Sequence, residues 1–323
     1  MNNNQMIEKI APMLTEVMIN KIEELEQGWT KPWVTVCRSG MPRNIRGTNY
    51  SGANVLTLLF HAEVKQYKTP VFLTFNQAKE EELTIRKGEK SFPVFYYHKY
   101  MFDPVTRESI KYEYYLTLSE EEKKKYKILP ILKYYNVFNV DQTDFEEKYP
   151  QRYAKFEKSE EVKDFSDGYA HPLLDRMLTE QSWYCPINVQ FSNRAFYQGS
   201  DNIVVPEKRQ FKNGVQFYST LLHEMAHSTG HPNRLKREMN GKMFTKAYAR
   251  EELVAELTAA LSGVFLGVTA TLQDNNAAYL KSWLNTMKQE PKFIFEVLGD
   301  VTKAAKMITG RVMENETENT EAA

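Results

Sequence analysis

The sequence predicts an α+β protein of two domains, and three observations carry that expectation. Short β-rich runs and one long helical repeat share roughly the first 140 residues; a charged stretch poor in aliphatic residues interrupts the chain at about 144–167; and apolar spacings of three and four dominate the rest. The boundaries drawn from them are 1–145 and 146–312. Residues 313–323 read as a disordered acidic tail, because the acids and polar residues of Glu314–Glu321 offer nothing to bury.

In chain order, Ile7, Ile10, Met13, Leu14, Met18, Ile22 and Leu25 recur at helical spacing, which predicts a helix over 6–27 that stops at Gly28. Trp29–Trp33 and the turn-rich run 39–52 read as a long loop with aromatic and basic tips. A helix is expected over 53–67. Strands are expected over 71–75, 92–97, 110–118 and 134–139, with Arg86–Lys90 as a turn between the first two. In the second domain, mixed strands around 185–205 precede helices at 215–229, 246–266, 277–288 and 292–308.

Lys plus Arg equals Asp plus Glu at 42 each, which excludes a molecule drawn as a whole onto nucleic acid; any basic surface has to be local. The two cysteines, Cys37 and Cys185, cannot make a disulfide framework or a four-cysteine metal site and read as free thiols. No apolar run reaches the ~18 residues of a membrane span. The N-terminus also lacks the basic-then-apolar order of a signal peptide, so a soluble, cytoplasmic protein without a membrane partner is expected.

The strongest chemical signal is Leu221-Leu-His-Glu-Met-Ala-His-Ser-Thr-Gly230. Two histidines four positions apart on a helix lie on one face, so His223 and His227 can reach one cation. Zinc suits imidazole and carboxylate ligands, and a catalytic site keeps one position for water. Glu224, turned about 100° from His223, can act on that water as general base. Chance would produce His-Glu-x-x-His in such a chain only about one time in a hundred. The expectation is therefore a zinc-dependent hydrolase of the zincin type.

A third ligand is required. His231 follows Gly230 and precedes Pro232, which both oppose a continuing helix, and Asn233 stands where a further histidine would complete the longer metzincin pattern. The next helix offers Glu252 and Glu256, one turn apart on one face among small and apolar residues. Glu252 is read as ligand and Glu256 as the carboxylate behind a ligand histidine, with the reverse assignment open.

From Lys31 to Lys99 there are eleven lysines or arginines against five glutamates, interleaved with Trp33, Tyr50, Tyr67, Phe72, Phe75, Phe92, Phe95, Tyr96 and Tyr97. Cations along the backbone and aromatic faces under the bases are how single-stranded nucleic acid is held. The candidates for that role are Trp33, Arg43, Arg46, Tyr50, Asn54, Lys87 and Lys90.

These residues carry a resemblance along nearly the whole chain. Pro32-Trp33, Pro42-Arg43-Asn44, Tyr50-Ser-Gly-Ala-Asn54, Leu73-Thr-Phe-Asn-Gln-Ala-Lys79, Arg86-Lys-Gly-Glu-Lys90, Ala195-Phe-Tyr197, Leu221–Leu235, Glu251-Glu-Leu-Val-Ala-Glu256 and Tyr279-Leu-Lys-Ser-Trp283 resemble the ArdC-type antirestriction proteins of plasmids, phages and other mobile elements. The resemblance implies an N-terminal domain that binds single-stranded DNA, a zincin-like metallopeptidase domain, and protection of incoming DNA from host restriction. It supports His223 and His227 as zinc ligands and Glu224 as base. Glu80–Glu82 and the long segment 100–134 depart from the family pattern. The expected function is an antirestriction-type protein that binds single-stranded DNA and cleaves an unknown protein, such as a host restriction or DNA-associated protein. The alternative is a non-proteolytic, DNA-protecting protein whose zincin domain is a scaffold.

Overall fold

A computed structural model of the chain describes residues 3–27, 32–34, 40–157, 168–239, 245–273 and 279–320, the side chains of 315–320 excepted. Among them, no helix is long and apolar enough to cross a membrane.

The apolar stripe of the first segment makes helix α1 (Asn3–Gln27), which buries Ile10, Leu14, Met18 and Ile22. After it come β1 (Arg43–Asn44), α2 (Ala53–Lys65), β2 (Val71–Thr74) and α3 (Phe75–Glu80). The expected strand 71–75 ends one residue early, because Thr74 and Gln77 cap each other's backbone N–H groups and start α3. Next are β3 (Phe92–Phe102), β4 (Ser109–Ile110), α4 (Tyr112–Thr117), α5 (Glu120–Lys123) and β5 (Lys127–Asn139). The sheet order is β1-β2-β5-β3-β4, with β1 and β2 parallel and the other pairs antiparallel.

Two expectations change here. The strand at 110–118 is confined to Ser109–Ile110, which pairs only with the last two residues of β3; beyond it the chain turns helical and Tyr112 lies over Lys99. Tyrosine-rich sequence favours a strand only where a neighbouring strand accepts it. The strands 92–97 and 134–139, in contrast, grow into an antiparallel ribbon paired from Phe92–Val137 out to Phe102–Lys127.

The charged stretch holds α6 (Phe145–Lys148) and α7 (Pro150–Glu157), whose Phe145 and Tyr153 pack on Val71, Leu73 and Ala78 of the first unit. Residues 158–167 lie outside the described residues. The second unit contains α8 (Pro172–Glu180), β6 (Ile187–Gln190), β7 (Phe196–Gln198), β8 (Asn202–Pro206), α9 (Gly214–Ser228), α10 (Lys246–Leu266), α11 (Leu280–Gln289) and α12 (Lys292–Thr320). Its small sheet has the order β6-β8-β7. Helix α12 runs on to Thr320, through most of the segment whose composition reads as a disordered tail; residues 321–323 lie outside the described residues.

The two units share one apolar core. Leu14 and Ile22 of α1, Leu56 and Phe60 of α2, Leu221 and Met225 of α9, Leu253 and Leu257 of α10, and Val301 and Ile308 of α12 belong to a single buried cluster. Between α1 and α2, the buried Lys21 ammonium is neutralised by Glu24 and Glu63.

Candidate functional site

Helix α9 starts at Asn213, whose side chain accepts the Gln216 N–H, and it is apolar on most of its surface. Helix α10 starts at Thr245 in the same way and ends at Gly267, whose φ of 67° suits glycine. Nearly all of α10 is buried, so the carboxylates it carries are held between α9, α11 and α12 rather than in water.

Three of the predicted residues converge. His223 Nε2 and His227 Nε2 are 3.1 Å apart, and Glu252 Oε2 lies 3.5 Å from each. A tetrahedral ion with bonds of 2.0–2.1 Å needs ligand atoms separated by about 3.3–3.4 Å. The triangle fits such an ion, and its two nitrogens and one carboxylate oxygen suit a borderline metal. Glu252, and not Glu256, completes it. His231 faces away, with Nε2 3.9 Å from Asp201.

Each histidine has a second carboxylate behind it. His227 Nδ1–H donates to Glu251 Oε1 at 3.2 Å. Glu251 in turn takes two bonds from Arg237, whose remaining N–H groups reach Thr229 Oγ1 and the Ala226 carbonyl. On the other side, His223 Nδ1 is 3.7 Å from Glu256 Oε1, and Glu256 accepts the Gln273 N–H and the Trp33 indole N–H, each at 2.9 Å.

Burial drives the imidazoles toward the neutral form, but Glu252 and Glu256 raise the His223 pKa and Glu252 and Glu251 raise that of His227. Burial would lift the Glu252 carboxyl, yet the two histidines hold it well below the usual carboxylate range. This field holds two neighbouring imidazoles beside a carboxylate that stays ionised. Glu224 differs: burial raises its pKa, against the pull of the histidines, and the Tyr197 backbone N–H is directed at it.

Glu224, His223, His227 and Glu252 line one cavity of about 780 Å³ with Phe196 and Tyr197 of β7, Tyr248, Gln273 and Tyr279. Among the described residues strand β7 pairs with β8 alone, and its Phe196 and Tyr197 line the same cavity as Glu224. Arg234 fastens that strand to the end of α9, bonding the Ser228 carbonyl, Asp201 and the Tyr197 hydroxyl.

The residues read as nucleic-acid contacts differ in exposure and partners. Trp33 is buried against Phe60 and bonded to Glu256, so its ring cannot receive a base. Asn54 also has a scaffold role: its amide donates to the Phe95 carbonyl and its oxygen accepts the Phe95 N–H, which pins α2 to β3. Arg46 is exposed and paired with Glu80, Arg43 is half-buried on β1, and Lys87 and Lys90 are exposed. Tyr50 packs edge-on against Phe72, and its hydroxyl is bonded to that of Tyr135.

That last contact leads to a surface the sequence reading missed. Residues opposite one another in an antiparallel pair share a face, so Tyr96, His98 and Tyr100 of β3 lie beside Lys133, Tyr135, Ile131 and Leu129 of β5. Tyr96 and Tyr135 are in edge contact and each is a little under half exposed. Neither strand contains an acid, and Lys99, Lys127 and Lys133 add positive charge. Period-two spacing of the tyrosines was the available signal, but the ribbon's length was not. Glu251 and Arg237 were missed as well. Glu251 adjoins Glu252 in an apolar helix and could have been found; Arg237 sits in a loop and gives no pattern.

Known proteins resemble this chain in both halves. Residues 8–138 match a family described as the N-terminal domain of anti-restriction factor ArdC, and residues 175–298 match one described as zincin-like metallopeptidase. The metal-free crystal structure of the antirestriction ArdC protein from plasmid R388 is 31% identical with a TM-score of 0.64, covering 93% of this chain and 98% of that one. The Mn(II)-bound structure of the same protein is 30% identical with a TM-score of 0.66, over 94% and 98%. The DNA primase TraC of Escherichia coli is 29% identical over 310 residues, which are 92% of this chain and 27% of the primase, so the chain spans about a quarter of that relative. An uncharacterized protein of Sinorhizobium fredii, y4eC, is 24% identical and covers 88% of this chain and 87% of its own length.

Proposed function

The chain belongs to the ArdC antirestriction family, and from that premise we propose that it binds single-stranded DNA through its first unit and hydrolyses a peptide bond in a protein through its second. The observation that carries the enzymatic half is the triangle of His223, His227 and Glu252 with Glu224 in the same cavity. Zinc held by that triangle would polarise a carbonyl and make a water acidic enough to attack it.

The protein's own groups supply the rest. Glu224, desolvated and raised in pKa, can take a proton from that water and return it to the leaving amine. The edge of β7 away from β8, which no described strand pairs with, would offer backbone groups to an extended peptide lying as an added strand with its scissile bond near Glu224. Tyr248, bonded to Glu252 and lining the cavity, keeps a neutral hydroxyl, since burial raises its pKa. For DNA, the acid-free face of Tyr96, His98, Tyr100, Lys133 and Tyr135 combines stacking surfaces with cations, continued by Tyr50, Arg43 and Arg46.

The enzymatic test compares wild type with Glu224→Gln, each loaded with Zn2+ or Mn2+, on a library of peptides and on candidate host nucleases. Cleavage by wild type alone is expected; equal outcomes would leave the zincin domain a scaffold. For DNA, binding of a single-stranded oligonucleotide should weaken with salt, and Tyr96→Ala with Tyr135→Ala should weaken it by ~1–3 kcal/mol for each stacked base lost. A flat salt dependence would remove the basic ribbon from the argument.

A further inference from the structure

We propose that Trp33, a residue of the DNA-binding unit, is a positioning residue of the metal centre: its indole N–H fixes Glu256, and Glu256 orients His223. The inference rests on the metal reading above and adds a requirement to it, namely that the centre is complete only with a side chain from the other unit in place.

The geometry is a chain of three side chains. Trp33 Nε1–H donates to Glu256 Oε2 at 2.9 Å, and both side chains are buried. The other oxygen, Oε1, is held by the Gln273 N–H and stands 3.7 Å from His223 Nδ1. That nitrogen is buried and makes no hydrogen bond of its own, so Glu256 is the carboxylate placed to receive its proton once the ring turns slightly toward it. Trp33 is not free to drift. Its backbone N–H donates to the Ala270 carbonyl, Pro32 bridges Thr271, and its ring packs against Phe60 of α2.

The arrangement mirrors the one behind His227. There Glu251 is the orienting carboxylate and Arg237, from the zincin half, holds it by two bonds. Behind His223 the holder comes from a segment between α1 and the loop that carries Arg43 and Tyr50. A ligand histidine whose second nitrogen is oriented this way binds metal more tightly, and losing the orienting partner costs 10–100-fold.

The test is a two-residue cycle on the full chain, read as Zn2+ affinity by competition with a chelator. Trp33→Phe keeps most of the ring and removes the N–H; it should weaken Zn2+ binding about tenfold. Glu256→Gln should weaken it 10–100-fold. Because Trp33 acts through Glu256, the double variant should bind Zn2+ no worse than Glu256→Gln alone. An unchanged affinity in Trp33→Phe, or losses that multiply in the double variant, overturns the proposal. If Trp33→Phe does not fold, the indole ¹⁵N–¹H resonance of Trp33 in the unmutated chain decides: it should move on saturation with Zn2+, and an unmoved signal overturns the proposal. A wild type that takes up neither Zn2+ nor Mn2+ sinks the metal reading itself. A binding wild type with an indifferent Trp33→Phe sinks only the role of Trp33.

Discussion

Arg237 is the residue whose loss should be felt most widely. Its guanidinium is almost wholly buried and makes four hydrogen bonds: two to Glu251 at 2.9 and 2.7 Å, one to Thr229 Oγ1 at 2.7 Å and one to the Ala226 carbonyl at 2.8 Å. Arg237→Met removes the charge and leaves Glu251, itself buried, with only the His227 N–H to balance its carboxylate. Breaking a buried pair from one side costs about 3–5 kcal/mol. At about 2 °C per kcal/mol, the melting point should drop by roughly 6–10 °C. The stranded charge accounts for most of that, so Arg237→Met with Glu251→Gln should recover a large part of it. The assay is urea unfolding of the metal-free chain for wild type, both single variants and the double variant at pH 7. A single-variant loss below about 1 kcal/mol, or a double variant as unstable as the sum of the singles, would refute the stranded-charge argument.

Two further outcomes are expected. Burial, helped by Lys65, pushes the His61 pKa down to about 4, while an unfolded histidine titrates near 6.5. The stability tied to this neutral ring is therefore complete above pH 6.5 and is lost as pH falls toward 4, by at most about 3 kcal/mol. Urea midpoints of wild type and His61→Phe should converge over that window as acid is added, and parallel curves would remove His61 from the pH dependence. Burial, with Asp201, pushes the Cys185 thiol up to about 11, leaving a thiolate fraction of roughly three in ten thousand at pH 7.5. In a Cys37→Ser chain, a thiol reagent should label Cys185 only on unfolding; fast labelling of the native protein would contradict its placement.

Helices α1 and α9 were legible because their signals are local. The stripe Ile7–Leu25 and the apolar setting of His223-Glu224-Met-Ala-His227 announce α1 and α9 without help from elsewhere. Glu252 was legible for a related reason, as a carboxylate on an apolar helix has to be there for something. The ribbon was not, since the extension of β3 past Tyr97 depends on β5 pairing with it residue by residue. Trp33 misled for a different reason: an aromatic beside lysine in a turn-rich loop looks like a base platform, and only the fold shows Glu256 waiting for its N–H. Such long-range partners, 223 residues apart here, leave no mark on local sequence.

Helix α12 has a consequence for how the chain is made. It lies along α1, α2, α8 and α10, with Thr15 bonded to the Pro291 carbonyl just before it, Lys292 paired with Glu8, Phe295 against Phe95, and Thr302 accepting the Ala53 N–H. Helix α1 therefore meets α12 only after about 265 further residues have been made, a wait of roughly 13–53 s at about 5–20 residues per second. During that interval α1 has α2 to pack on but lacks the cover that α11 and α12 provide. The first unit therefore reaches its final packing only after translation has passed the second.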